Sequence, residues 1–350
     1  MPPTALRIQG TLLPTGEPTQ FWLLGDRVTL TEPAVPTTTV VEGGFLTPGL
    51  VDVHTHPGHD EDAVFTDERF AAECAEHVAA GTTALRIPGH RGPISPRRRA
   101  DPSTPRLVTA GQLLAHASLR TGQPMHTEVD DLRAAAVAEA AANDGWCKLI
   151  ADWETTDPPV PLDLMRGTVE AVHAAGHRVA AHCQTAAGTR NAVLSGVDSI
   201  EHGWYLTDDL IELLAARHGA FVPTATAFLQ MLDLVRGKPD GPRKDDFLGG
   251  VDSATRAVPL AHEAGIRILA GTDSAPFGNV VTEVEWLIKA GLSPTTALGA
   301  ASWDARDYLG LPGLVEGGLA DVVAYDADPR TEPGVLRHPR RIVLRGRVVH

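Results

Sequence analysis

Residues 47–56 read Thr47-Pro48-Gly49-Leu50-Val51-Asp52-Val53-His54-Thr55-His56, a turn that feeds a short apolar run and ends in two histidines. Side chains along a β-strand alternate between faces, so His54 and His56, two apart, point the same way. Two imidazoles on one face at a strand end make half of a metal site. A lone His-x-His pair is weak evidence, because surface and core pairs are common. What matters is whether other segments end in the same manner.

Four more do. They are Trp146-Cys147-Lys148, Val179-Ala180-Ala181-His182, Ser199-Ile200-Glu201-His202 and Ala270-Gly271-Thr272-Asp273. One histidine closing a buried strand is ordinarily a hydrogen-bonded rim residue, but His182 and His202 close consecutive apolar runs 20 residues apart. Asp273 can bind a metal and exchange a proton with bound water. Its alternative, an N-cap for a following helix, is weakened because Ser274-Ala275-Pro276-Phe277-Gly278 is loop-like. Lys148 stands among apolar neighbours, where an unpaired ammonium is costly and the neutral amine is favoured. A neutral amine can add carbon dioxide to become a carbamate, an anion able to bridge two metals. The plainer reading pairs Lys148 with Asp152 or Glu154. His59 reads as a loop residue.

Working outward, strand-like runs at 50–54, 83–87, 106–110, 147–151, 178–182, 197–201, 220–223 and 267–271 alternate with helical patterns. The helical stretches include 130–143, 162–175, 208–216 and 253–264, and glycine follows two of them, at Gly176 and Gly265, where a left-handed residue ends a helix. Eight strands interleaved with helices predict an α/β fold, a (β/α)8 TIM-type barrel over 49–313. The alternative is a doubly wound open sheet, disfavoured because no glycine-rich dinucleotide fingerprint follows the early strands. The two ends, 1–48 and 314–350, are short alternating β runs that could not each bury a core, and they are expected to pair into one small β-sandwich domain.

The chain has 350 residues, 43% hydrophobic and 21% charged, with a net charge of −14. This acidity argues against nucleic acid or an anionic membrane as partner. The one basic run, Pro96-Arg97-Arg98-Arg99, reads as a solvated loop, with an anionic substrate as its alternative contact. Three cysteines, Cys74, Cys147 and Cys183, are too few and scattered for a disulfide framework or structural zinc site. No signal-peptide pattern and no long apolar span are visible, so a cytoplasmic protein is expected. The expected partner is a small-molecule substrate, with self-association into a homo-oligomer left open.

These motifs resemble the amidohydrolase superfamily, in particular the branch of imidazolonepropionase-like enzymes and metal-dependent Xaa-Pro dipeptidases and carboxypeptidases. The resemblance rests on 47–56, on Gly196-Val197-Asp198-Ser199-Ile200-Glu201-His202-Gly203, on 270–273, and on a tail from Gly310 through Val323. It implies two divalent ions, zinc first among the candidates. His54, His56 and Asp273 would hold the more buried ion and His182 and His202 the more exposed one. N-carboxylated Lys148 and a hydroxide would bridge them. The hydroxide would attack a C–N bond, in a dipeptide or N-acyl amino acid, while Asp273 moves the proton. Rival readings are a cyclic-amide hydrolase or deaminase on the same barrel, and a silent scaffold or metal-storage protein. The Thr-Gly-Gly-His stretch of many peptidase-like members is missing from the loop 111–128, so no role passes to His116 or His126. Tyr205, just past a ligand strand, is a candidate substrate contact, and the glycine-rich loop 228–250 a candidate lid.

Overall fold

A computed structural model describes residues 4–155 and 157–350. The N-terminal end forms β1 (Ala5–Leu12), β2 (Glu17–Leu24), β3 (Arg27–Thr29) and β4 (Thr37–Pro48). The middle contributes β5 (Leu50–Asp52), β6 (Thr82–Ile87), β7 (Arg106–Thr109), β8 (Leu113–His116) and β9 (His126–Val129). It continues with β10 (Trp146–Ile150), β11 (Arg178–His182), β12 (Ser199–Glu201), β13 (Ala220–Val222) and β14 (Arg267–Ile268). The C-terminal end adds β15 (Val322–Tyr325), β16 (Arg341–Leu344) and β17 (Arg347–Val348).

The middle is an α/β fold. β5, β6 and β7 form one parallel ladder, and β14-β13-β12-β11-β10-β8-β9 a second, seven-stranded one. Each of the eight runs expected from the sequence is a strand, with ends that differ from the expected ones by at most three residues. Backbone bonds link the two ladders. Val53 donates to Ala270 and Thr272 to His54, while at the other junction Asp144, just before β10, donates to Thr109 at the end of β7. Side chains from six strands, including Val51, Ala84, Val108, Trp146, Ala180 and Ala220, meet in one buried cluster. A larger apolar core lies between the strands and the helices outside them.

The helices Leu132–Ala142, Leu162–Ala174 and Asp208–Ala215 fall where the periodicity puts them. Gly176 and Gly265 have φ of 79° and 84°, the left-handed conformation that ends a helix without a Cβ clash. Two expectations need correction. The stretch 111–128 is not simply a loop: β8 carries the third strand onward from β7 to pair with β10, and β9 pairs beside β8. The stretch 228–250 is largely helical, with Leu232–Arg236 and the 22-residue helix Pro242–Glu263, whose back half alone was anticipated. Its glycines mark close packing, not a turn. A Cβ on Gly250 would lie 2.2 Å from Trp204 Cε3, and one on Gly249 3.2 Å from the Tyr205 hydroxyl.

The two chain ends share one seven-stranded sheet in the order β17-β16-β15-β4-β1-β2-β3, parallel only between β1 and β4. It encloses Ile8, Phe21, Val41, Leu46, Val322 and Val343. Asp321, fully buried, ties this sheet to the middle: it accepts from Arg106 Nε at 2.6 Å and Arg306 Nη2 at 3.3 Å. Among the described residues the three cysteines are free, and no helix is long and apolar enough to cross a membrane.

Candidate metal centre

The six side chains named from the sequence come from five different strands or strand ends, yet all line one cavity of about 350 Å³. It opens at the C-terminal ends of the parallel strands, where such architectures carry their chemistry. His54 and His56 leave β5, Lys148 lies within β10, His182 ends β11, His202 follows β12, and Asp273 follows the segment continuing β14. His202 (φ 67°) and Asp273 (φ 46°) both take left-handed backbone, an unusual conformation for residues with a Cβ. Strain of this kind persists where the surroundings over-determine it. Here Asp52 does part of that: its buried carboxylate accepts from His54 N, Thr272 N and Thr272 Oγ1, joining the first strand end to the last. Burial pushes the Asp52 carboxyl up to about 7, against the lowering effect of those bonds.

Three of the four imidazoles, those of His54, His56 and His202, are held on the nitrogen that faces away from the centre. His54 Nδ1 is 2.6 Å from Glu201 Oε2. Burial works to raise the Glu201 pKa, but Arg86, His54 and Lys148 hold it well below the usual carboxylate range, so it accepts a proton bond from Nδ1. Arg86 Nη2 donates to both Glu201 oxygens, at 2.6 and 2.8 Å, fixing the carboxylate in turn. His56 Nδ1 lies 2.6 Å from the Gly89 carbonyl, which can only accept. His202 Nδ1 lies 2.7 Å from Thr224 Oγ1, whose own proton goes to the Pro223 carbonyl at 2.8 Å. In all three the outer nitrogen carries the proton and Nε2 keeps its lone pair turned inward, the arrangement that prepares histidine as a metal ligand.

Those lone pairs converge. His54 Nε2 and His56 Nε2 stand 3.7 and 3.3 Å from Asp273 Oδ1. Ligating atoms of His54, His202 and Asp273 lie within 4.8 Å of one another. His202 Nε2 faces His182 Nδ1 at 2.9 Å. Burial keeps three of these rings neutral: it lowers His54 to about 4 and carries His182 and His202 well below their ordinary value. Burial pulls the other way on Asp273, but His54, His56 and His202 outweigh it and hold the carboxyl ionised.

Lys148 is 1% exposed, and its Nζ has no hydrogen-bond partner among the described residues. His182 Nε2 is also unpartnered, with Asp152 Oδ1 3.7 Å away. Native interiors rarely leave an ammonium orphaned. Burial lowers its pKa, opposed by Glu201 and Asp273. The pairing of Lys148 with Asp152 or Glu154 does not occur, because Asp152 instead accepts from the backbone of Gln184 and Thr185. A donor set of four imidazoles, a carboxylate and an orphaned buried amine suits one or two divalent cations.

Not every candidate joins this group. Tyr205 does not line the cavity; its hydroxyl donates to Asp246 Oδ1 at 2.8 Å, on the helix Pro242–Glu263. His116 caps the short turn after β8 by accepting from Ser118 N. His126 does reach the cavity, edge-on to Trp153 with ring centroids 4.6 Å apart. The basic run is spent on ion pairs, Arg98 with Asp67 and Arg99 with Asp144. Sequence reasoning gave no role to Glu201, Arg86 or Thr224. Only Glu201, lying inside a quoted motif, carried any signal.

Residues 45–349 match the family described as "Amidohydrolase family". The chain belongs to the amidohydrolase family. An uncharacterized protein of Mycobacterium tuberculosis is 35% identical over 98% of this chain and 95% of its own. Ochratoxinase of Aspergillus niger is 30% identical over 47% of this chain and 35% of its own. The crystal structure of that ochratoxinase superposes with a TM-score of 0.83 at 21% identity, covering 99% of this chain and 96% of that one. A Xaa-Pro dipeptidase with bound methionine in its active site gives 0.82 at 18% identity, covering 99% and 100%. This amidohydrolase is therefore a hydrolase of carbon–nitrogen bonds, from a family that generally uses divalent metals.

Proposed function

We propose that this amidohydrolase cleaves an amide bond of a small molecule at a centre of two divalent ions. His54, His56 and Asp273 would hold one ion, His182 and His202 the other, with N-carboxylated Lys148 between them. One observation carries the reading: inward lone pairs of His54, His56 and His202 meet Asp273 in a single cavity, beside a buried amine without a partner. Bound there, the ions, with zinc the ordinary choice for such ligands, would acidify a water and polarise the scissile carbonyl.

The chain's own side chains do the rest. Asp273, ionised at neutral pH, takes the proton of the attacking water and delivers it to the leaving nitrogen, base first and then acid. Likeness to a Xaa-Pro dipeptidase supports an amide as the bond broken. In the same reading, the parallel strands of 49–313 form one closed (β/α)8 barrel. Residues 1–48 and 314–350 form a small β-sandwich domain beside it. Hydrogen bonds between the ladders at both junctions support the closure.

The test is metal analysis joined to one variant. Wild-type protein should carry about two equivalents of divalent metal. Asp273→Asn should lose roughly 10²–10⁴-fold in amide turnover while retaining most of that metal. Near-normal turnover in the variant would end the role assigned to Asp273, and metal-free protein that still hydrolyses amides would end the proposal.

A further inference from the structure

The cavity wall around the centre divides by chemistry. Leu113, Met125, Ile150 and Trp153 form an apolar face, and Gln123 and Gln184 add neutral amides. Among the described residues lining it, Lys148 is the single lysine or arginine, and it sits at the floor with the ligands. On the outer wall the fixed charge is negative: Asp60 Oδ1 accepts from Asp62 N at 3.0 Å and Val64 N at 2.8 Å. Arg91, close to this wall through its backbone bond to His59, donates its Nη1 to the Pro124 carbonyl. Tyr205, which could have met a carboxylate, is occupied by Asp246.

A dipeptide or N-acyl amino acid presents a carboxylate beside the scissile nitrogen. Burying that charge with no arginine or free lysine on the wall to pair it, and with Asp60 nearby, is penalised by desolvation and by repulsion. A neutral carboxamide or ester in its place loses little, since the glutamine amides offer both donor and acceptor. Given the amide-hydrolase reading above, we propose that the substrate carries no carboxylate next to its scissile bond. It is an uncharged amide whose apolar flank packs on Leu113, Met125, Ile150 and Trp153. His59 does not alter this balance, because both its ring nitrogens are engaged by backbone, Nδ1 with the His56 carbonyl and Nε2 with the Arg91 N–H.

Matched pairs test it: N-acetyl derivatives of phenylalanine, leucine and methionine against their primary amides, identical at the scissile acetyl–nitrogen bond. The amides should show kcat/KM at least roughly tenfold above the free acids, and acids equal to or better than amides would overturn the proposal. A Met125→Lys variant should shift the acid-to-amide ratio of kcat/KM toward the acids by roughly tenfold, whatever it does to the absolute rates; an unshifted ratio counts against the proposal. If neither set is hydrolysed, the amide-hydrolase reading is what has failed. Thermal-shift binding of the same pairs, to metal-loaded and metal-free protein, then decides the inference alone. Stabilisation by the amides and not the acids supports it, and stabilisation by the acids sinks it.

Discussion

At the scale of single residues, the centre depends as much on what holds each imidazole as on the imidazoles themselves. Thr224 is the clearest case, since it does nothing but accept from His202 Nδ1 and pass its own proton to Pro223. Thr224→Ala should weaken metal binding by about 10-fold, the usual scale for such outer partners. Its melting temperature should be near that of the wild type, because φ of 50° suits alanine no worse than a β-branched residue. Competition against a chelator measures the affinity, and unchanged affinity would mean that His202 needs no partner. Lys148 gives a second prediction. Protein equilibrated with ¹³C-bicarbonate and divalent metal should show a carbamate resonance that Lys148→Met lacks, and a wild-type spectrum without it would remove the bridging role. The four histidines and Asp273 were legible because they stand at or just past the end of an apolar run, and Lys148 because it interrupts one. Arg86, Glu201 and Thr224 were not, because their roles exist only through partners that folding brings from distant strands.

Among the elements, the helix Pro242–Glu263 teaches how composition misleads. Two adjacent glycines normally announce a turn, yet here they let a helix approach Trp204 and Tyr205. Gly250→Ala should therefore destabilise by about 1–3 kcal/mol through overpacking, even though alanine is the better helix former by about 1 kcal/mol. Calorimetry measures this, and a stabilised variant would show that the contact yields. The helix Asp67–Ala79 gives a pH dependence through His77, whose ring is fully buried beside Thr55 and Phe277. Burial lowers its pKa from 6.5 to about 3, so between those values the folded chain binds fewer protons than the unfolded one. Stability is then lost as pH falls from about 6.5 toward 3. Asp52, Asp152 and Glu283, each raised by burial to about 7, work in the opposite sense. His77→Gln should flatten the acid-side fall in melting temperature of metal-free protein between pH 6.5 and 4, and an unchanged slope would place the acid sensitivity elsewhere. Strand existence was readable from apolar runs closed by polar residues. The extra strands β8 and β9 were not, because β8 is settled by its pairing with β10 and β9 by its pairing with β8, not by their own patterns.

For the whole molecule, the question is what makes the terminal sheet and the parallel strands one unit. Asp321 sits at that junction with no exposure. It accepts from Arg106 at the start of β7, from Arg306 on the helix Trp303–Tyr308, and from the Arg345 backbone in the turn between β16 and β17. Arg106 also pairs with Asp26 in the turn between β2 and β3, so five separated segments meet at Asp321 and Arg106. Burial alone would raise the Asp321 pKa, but Arg306 and Arg106 hold it low, so the carboxylate is charged in the folded chain. Asp321→Asn would leave buried guanidiniums short of an anion, a change that typically costs about 3–5 kcal/mol. The meeting point lies at the N-terminal start of β7, whereas the metal-binding side chains project from the opposite ends of the strands. Melting temperature should therefore fall sharply while metal content and turnover per folded molecule stay constant. Replacing Asp321 and Arg306 together with Leu and Met should recover part of the loss, because no unpaired charge then remains between them. A variant that melts normally, or one that loses metal without losing stability, would show that the terminal sheet is joined to the rest by packing alone.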